Sequence, residues 1–265
     1  MKIIVPIKQV PETSNVKMDP DTGTVIRAGV ETVVNPLDLF ALESALRLKE
    51  KYGGTVTVLS MGPPQAVKAL KEAVSMGCDE AILVSDRKFG GSDTWATSYT
   101  LAQAVKKIGT FDLIIAGERA TDGDTGQVGP GIASWLDIPV ATYVAKIESV
   151  ADGKITLERL VEDGYQILNM ALPCLLTVVK EIASPRLPTL RGKIFARQMQ
   201  IPVFSTENLE LEPTALGLKG SPTKVVKIDT PKVTRGGTVV RAVDDESIAS
   251  AVDQLMSFLT QKGVL

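Results

Sequence analysis

The chain contains no histidine in its 265 residues. That absence removes the usual Ser-His-Asp and Cys-His nucleophile pairs, most zinc sites, and the side chain best suited to proton transfer near neutral pH. Redox or group-transfer chemistry on such a chain must be carried by a bound cofactor. Cysteine is nearly as scarce: Cys78 and Cys174 lie far apart and form neither a disulfide framework nor a CxxC pair, so both read as small buried hydrophobes. No run of about twenty apolar residues occurs. The opening Met1-Lys2-Ile3-Ile4-Val5-Pro6 meets Lys8 too soon to form a signal-peptide core, and the chain reads as cytoplasmic, without membrane insertion. An excess of basic charge is also missing. Lys plus Arg total 29 against 31 Asp plus Glu, a net charge of −2, which argues against a nucleic acid partner or an anionic lipid surface.

Apolar content is ample, at 44% hydrophobic with 23% charged, and excludes disorder for most of the chain. At this length the core needs no disulfide or metal staple. Lys2 to Ile7 is a β-branched run that reads as a first strand, with Pro6 at its end. Residues 16–28 are polar around Asp19-Pro20-Asp21-Thr22-Gly23 and predict a surface hairpin. Asn35-Pro36 predicts a helix start, with Asn as N-cap and Pro in the first turn, and Gly53-Gly54 its end. Strands are expected at Thr55–Ser60, Ala81–Val84 and Phe111–Ala116, with helices after Gly62-Pro63 and from Thr94 to Lys107. Near-continuous apolar strands alternating with helices predict an α/β fold, a doubly wound, mostly parallel sheet covered on both faces. From Ala145 to Val161 the pattern alternates around Asp152-Gly153, predicting an antiparallel extension, and Pro173–Val179 reads as a buried strand. Beyond Ser184 prolines recur and helical signal returns only at Asp244–Gln261, so this stretch reads as a long C-terminal arm. Its last helix carries an apolar stripe of Ile248, Val252, Leu255, Met256 and Leu259, suited either to its own domain or to a partner.

In an open α/β sheet, ligands bind at the carboxyl ends of the strands. Four segments fall there: Pro6-Ile7-Lys8, Asn35-Pro36-Leu37-Asp38, Ser60-Met61-Gly62-Pro63, and the glycine-rich stretch from Gly117 to Gly131, which opens a helix. Glycines permit close backbone approach, and free N–H groups at a helix start attract phosphate. The stretch matches neither GxxxxGK[ST] nor GxGxxG, so a plain helix-capping turn remains an equal reading of the pattern. Asp122 and Asp124 repel phosphate, so at least one is expected to face ribose hydroxyls or solvent. Glu162-Asp163 beside Gly164 reads as a solvated turn. Ser184 to Lys193 sets leucines among basic residues, either a tethered loop or a projecting anchor in a charged rim.

Four features together carry a resemblance to the β subunit of electron-transfer flavoproteins. They are Lys2-Ile3-Ile4-Val5-Pro6-Ile7-Lys8-Gln9-Val10-Pro11, Asn35-Pro36-Leu37-Asp38 with the helix after it, the Gly117–Gly131 stretch, and Arg159-Leu160-Val161-Glu162-Asp163-Gly164-Tyr165-Gln166 leading through Pro173 to Leu175-Leu176-Thr177. The resemblance implies an adenine-nucleotide-binding, flavodoxin- or Rossmann-like domain over 1–183, a partner-recognition loop over 184–197, and a C-terminal arm over 198–265 that docks on an α subunit in a heterodimer. Family nucleotide contacts carried over to this chain fall on Pro6, Asn35, Pro36, Leu37, Asp38, Met61, Asp122, Gly123, Asp124, Thr125, Gly126, Gln127, Val128, Gly129, Pro130 and Gly131. The family divides by whether the β subunit holds AMP or a second FAD, and the compact loop here is similar to the FAD-holding, electron-bifurcating type. That type takes electrons from NADH and passes them toward an acyl-CoA dehydrogenase and a low-potential acceptor, ferredoxin or flavodoxin. The family's recognition loop inserts a leucine into its dehydrogenase, which corresponds here to Leu190 beside Arg191. A nonredox adenine-nucleotide sensor on a similar sheet is the alternative of another class.

Overall fold

In a computed structural model that describes residues 1–12, 31–226, 237 and 239–264, the chain divides into two compact units, Met1–Val226 and Lys227–Leu265. The hairpin expected at residues 16–28 lies outside the described residues.

The first unit begins with β1 (Lys2–Pro6), followed by the small pair β2 (Gln9–Pro11) and β3 (Thr32–Val34), then α1 (Pro36–Tyr52), β4 (Thr55–Met61), α2 (Val67–Met76), β5 (Glu80–Val84), α3 (Thr94–Ile108) and β6 (Leu113–Gly117). After these come α4 (Val128–Leu136), β7 (Val140–Ala151), β8 (Lys154–Val161), β9 (Gly164–Ala171), β10 (Cys174–Val178), α5 (Leu190–Gln198), β11 (Val203–Phe204) and α6 (Gly217–Gly220). One nine-stranded sheet has the order β11-β5-β4-β1-β6-β10-β7-β8-β9. Its pairs are parallel from β11 through β7, and β8 and β9 extend it antiparallel.

The two faces of the sheet are separately buried, as a doubly wound fold requires. Along β1 and β6, Ile3, Val5, Leu113 and Ile115 join a core with α1 and α2 residues such as Leu42, Ala45 and Leu70. The alternate residues Ile4 and Ile114 face the other way, into a core with Tyr99, Ala102 and Val105 of α3 and Ile132 and Ala133 of α4. Cys78 and Cys174 are buried free thiols, and burial pushes both up to about 12, which makes them inert packing groups. The chain leaves β1 toward β4 on one side and β6 toward β7 on the other. That reversal opens a crevice at the carboxyl ends of these neighbouring strands.

Several local expectations need revision. Asn35 occupies the N-cap position of α1, but its side chain makes no capping hydrogen bond there. Helix α4 begins at Val128, so Gly129, Pro130 and Gly131 belong to its first turn, not to the loop before it. Leu190 opens a nine-residue helix where a loop was expected. The Asp152-Gly153 turn does join β7 to β8, with both residues at positive φ as a tight hairpin favours, and Glu162 and Asp163 form an exposed turn.

The second unit contains α7 (Asp245–Gln261), started by a capping box between Asp244 and Ser247. Ile248, Val252, Leu255 and Met256 are exposed on it, and Leu259 is half-buried. Among the described residues no helix is long and apolar enough to cross a membrane.

Candidate functional site

The loop between β6 and α4 is shaped from both ends. Asp124 and Gly126 adopt left-handed backbone with φ of 57° and 64°, and the Gly123 and Asp124 amides donate back to the Ala120 carbonyl at 3.3 and 2.8 Å. Past that turn the amides of Thr125, Gly126, Gln127, Val128 and Gly129 donate to no other described residue. Helix α4 has no side-chain cap and no acidic residue in its first turn. This leaves a row of free donors at the positive end of a helix dipole, which is what an anion requires.

Asn35 holds this loop in place. Its Nδ2 donates to the Arg119 carbonyl at 2.9 Å and its Oδ1 accepts from the Thr121 amide at 3.2 Å, so a buried side chain at the start of α1 ties down a segment far along the chain. The two loop aspartates are each matched by a cation. Lys8 Nζ lies 2.6 Å from Asp122 Oδ1, and Arg119 Nε lies 3.0 Å from Asp124 Oδ1. The repulsion they would exert on a phosphate is thereby offset. Asp38 sits under the loop's root: its Oδ2 accepts from the Lys8 amide at 2.7 Å, and a Cβ on Gly117 would come within 2.4 Å of its Oδ1. Burial raises its pKa to about 7, against the opposing pull of the Lys8 amide.

These elements surround a cavity of about 1010 Å³, lined by Pro6, Asp38, Met61, Gly123, Thr125, Gly126, Gln127, Val128 and Gly129 of the expected residues. Asn35, Pro36, Leu37, Asp122, Asp124, Pro130 and Gly131 do not line it. Gly131 is there for packing, since a Cβ would meet Ser98 Oγ at 2.6 Å, and Gly129 also lets α4 approach Thr177, whose Cγ2 would lie 2.6 Å from a Cβ. A second wall was missed from sequence: Ser85 to Thr94, after β5. Its signal was present, because Gly90-Gly91-Ser92-Asp93 follows the carboxyl end of a strand and opens a helix, as the chosen segments do. Thr94 Oγ1 donates to Gln127 Oε1 at 2.8 Å and joins the two walls.

Away from the cavity, Leu190 is 78% exposed at the first position of α5, and Leu187 just before it is 84% exposed. Arg191 is exposed beside them. The base of this projection is anchored by Arg186, which reaches Glu43 at 2.8 Å and Glu50 at 2.5 Å, while Arg47 holds Glu43 from the other side at 2.7 Å.

The profile of the electron transfer flavoprotein domain matches residues 22–208. The chain belongs to the electron transfer flavoprotein family. It is 48% identical over 258 residues to the electron transfer flavoprotein subunit beta of Thermoanaerobacterium thermosaccharolyticum, covering 97% of this chain and 98% of that one. Identity is 46% over 266 residues, the full length of both chains, to the caffeyl-CoA reductase-Etf complex subunit CarD of Acetobacterium woodii. FixA of Azotobacter vinelandii is 47% identical over 238 residues, 88% of this chain and 85% of that one. Within the electron transfer flavoprotein family the chain is thus similar over nearly its full length to β subunits, and the family's role is electron transfer.

Proposed function

We propose that this β subunit holds FAD in the crevice between β1 and β6, accepts electrons from NADH, and divides them between an acyl-CoA dehydrogenase and a low-potential acceptor such as ferredoxin or flavodoxin. The observation that carries this reading is the size and continuity of the cavity. Its 1010 Å³ is at the top of the roughly 300–1,000 Å³ usual for small-molecule and cofactor sites, and it runs from the amide row past the Ser85–Thr94 wall, beyond the needs of a mononucleotide. The amides of 125–129 suit a phosphate, and Pro6 and Met61 offer apolar surface beside it. Gly123 and Gly126 keep the cradle open, since a side chain at either would project from backbone that approaches the ligand. Bound FAD would supply hydride acceptance and both one- and two-electron chemistry, which protein side chains do not supply. The protein's part is to bind, orient and shield. CarD's name places that relative in a caffeyl-CoA reductase complex, which favours a dehydrogenase partner here as well.

In the same reading, residues 184–197 recognise the dehydrogenase through Leu190 and Arg191, and residues 198–265 serve as an arm on the α subunit. The exposed apolar face of α7 suits that role. The test is spectroscopic. The heterodimer purified with its α subunit should show flavin absorbance exceeding that of one flavin per pair, and NADH should bleach it under anaerobic conditions. A single flavin per pair, with AMP in the β crevice and no response to NADH, contradicts the reading.

A further inference from the structure

Among the described residues three cations line the cavity: Lys8, Arg87 and Arg119. Lys8 and Arg119 are each engaged by a loop aspartate, but Arg87 has no carboxylate partner among the described residues. The acidic residues of its own wall are occupied elsewhere. Asp86 accepts from the Lys88 amide and from the Thr206 amide and hydroxyl, at 3.0, 3.1 and 2.6 Å. Asp93 accepts from the Ala96 amide and from the amide and hydroxyl of Thr223, at 3.1, 3.0 and 2.8 Å. Those bonds hold the Asp86 carboxyl below the usual range, and hold Asp93 there against the upward push of burial.

The wall bearing Arg87 is also fixed in place. A Cβ on Gly217 would lie 2.2 Å from the Lys88 carbonyl oxygen, so the strap after β11 presses directly on this turn. At its far end the Thr94–Gln127 hydrogen bond joins the wall to the amide row. A guanidinium without a carboxylate partner among the described residues therefore stands on a supported wall of the same cavity that holds the amide row suited to one phosphate.

We propose that Arg87 binds the second phosphate of a dinucleotide, and is the residue by which this crevice favours a pyrophosphate diester over a nucleoside monophosphate. The inference rests on the reading that the crevice holds FAD. A pyrophosphate diester carries two negative charges, of which the amide row and the α4 dipole serve one. A planar guanidinium meets the other with two parallel N–H···O bonds that a lysine cannot reproduce.

The experiment uses the heterodimer with the β crevice emptied of nucleotide, titrated calorimetrically with AMP, ADP-ribose and FAD. ADP-ribose carries the diphosphate without the flavin ring. Arg87→Ala should weaken ADP-ribose and FAD by about 10- to 100-fold, the range for one charged hydrogen-bonding group, and leave AMP within about twofold. Arg87→Lys should recover part of the loss. The unchanged AMP affinity doubles as the control that the variant is folded. If all three ligands weaken alike, if none weakens, or if FAD alone does, the assignment of Arg87 is overturned while the FAD reading stands. A wild-type crevice that takes AMP but refuses both FAD and ADP-ribose overturns that reading and this inference together.

Discussion

Asp38 is the residue whose chemistry is most displaced by its surroundings. Its folded pKa, raised to about 7 by burial, lies well above the ordinary value of 3.8, so the folded chain keeps a proton that the unfolded chain loses. Between about pH 4 and 7 the unfolded state is the one that ionises freely. The Asp38 contribution is therefore full below pH 4, declines as pH rises, and is gone above about 7, a change of order 4 kcal/mol at most. Glu43, Asp86 and Asp93 have lowered values and act with the opposite slope, so the measurement is a difference. Asp38→Asn should gain stability relative to wild type as pH rises from 4 to 7, followed by urea unfolding; a pH-independent difference contradicts the assignment. From sequence Asp38 was legible as a crevice residue, but its burial was not. Asn35 was likewise visible as a helix start, while its true task, clamping the Arg119–Thr121 backbone, depends on contacts that no local pattern encodes.

At the scale of elements, β1, β5, β6 and β10 were readable because burial on both faces makes each mostly apolar, and β4 because its Thr55–Ser60 stretch is rich in β-branched residues. Helix α5 was not. It follows Pro185 and Pro188 and carries Gly192, all signals of loop, yet Gly192 is needed because a Cβ there would lie 2.2 Å from the Ser75 carbonyl of α2. Packing against α2 overrides weak helix propensity, and only the tertiary contact discloses the reason. The consequence is a helical mount where a loop was expected, with exposed Leu190 at the first position of a helix whose N-cap Thr189 accepts from the Gly192 amide at 2.9 Å. Leu190→Ala removes little buried surface, so stability should stay within about 0.5 kcal/mol of wild type. In the proposed function, electron transfer from the reduced heterodimer to an acyl-CoA dehydrogenase should slow by about tenfold or more, with flavin content unchanged. Lost flavin, or an unchanged rate, would assign Leu190 some other role.

On the scale of the whole molecule, strand order decides where the crevice lies. Because β4 and β5 lie to one side of β1, and β6, β10 and β7 to the other, the helices part at the β1–β6 junction and the amide row of 125–129 faces the gap. The alternation of elements made the parallel sheet legible, and the rule for such sheets located the crevice; the depth of the cavity and its Ser85–Thr94 wall emerge only once β5 is set beside β4. The cavity's volume of about 1010 Å³ supports the proposed cofactor larger than a mononucleotide. The direct measurement is a count of nucleotides released from the intact α–β heterodimer by denaturation and resolved by chromatography. Two FAD per heterodimer is the predicted result, and one FAD with one AMP is the result that contradicts it.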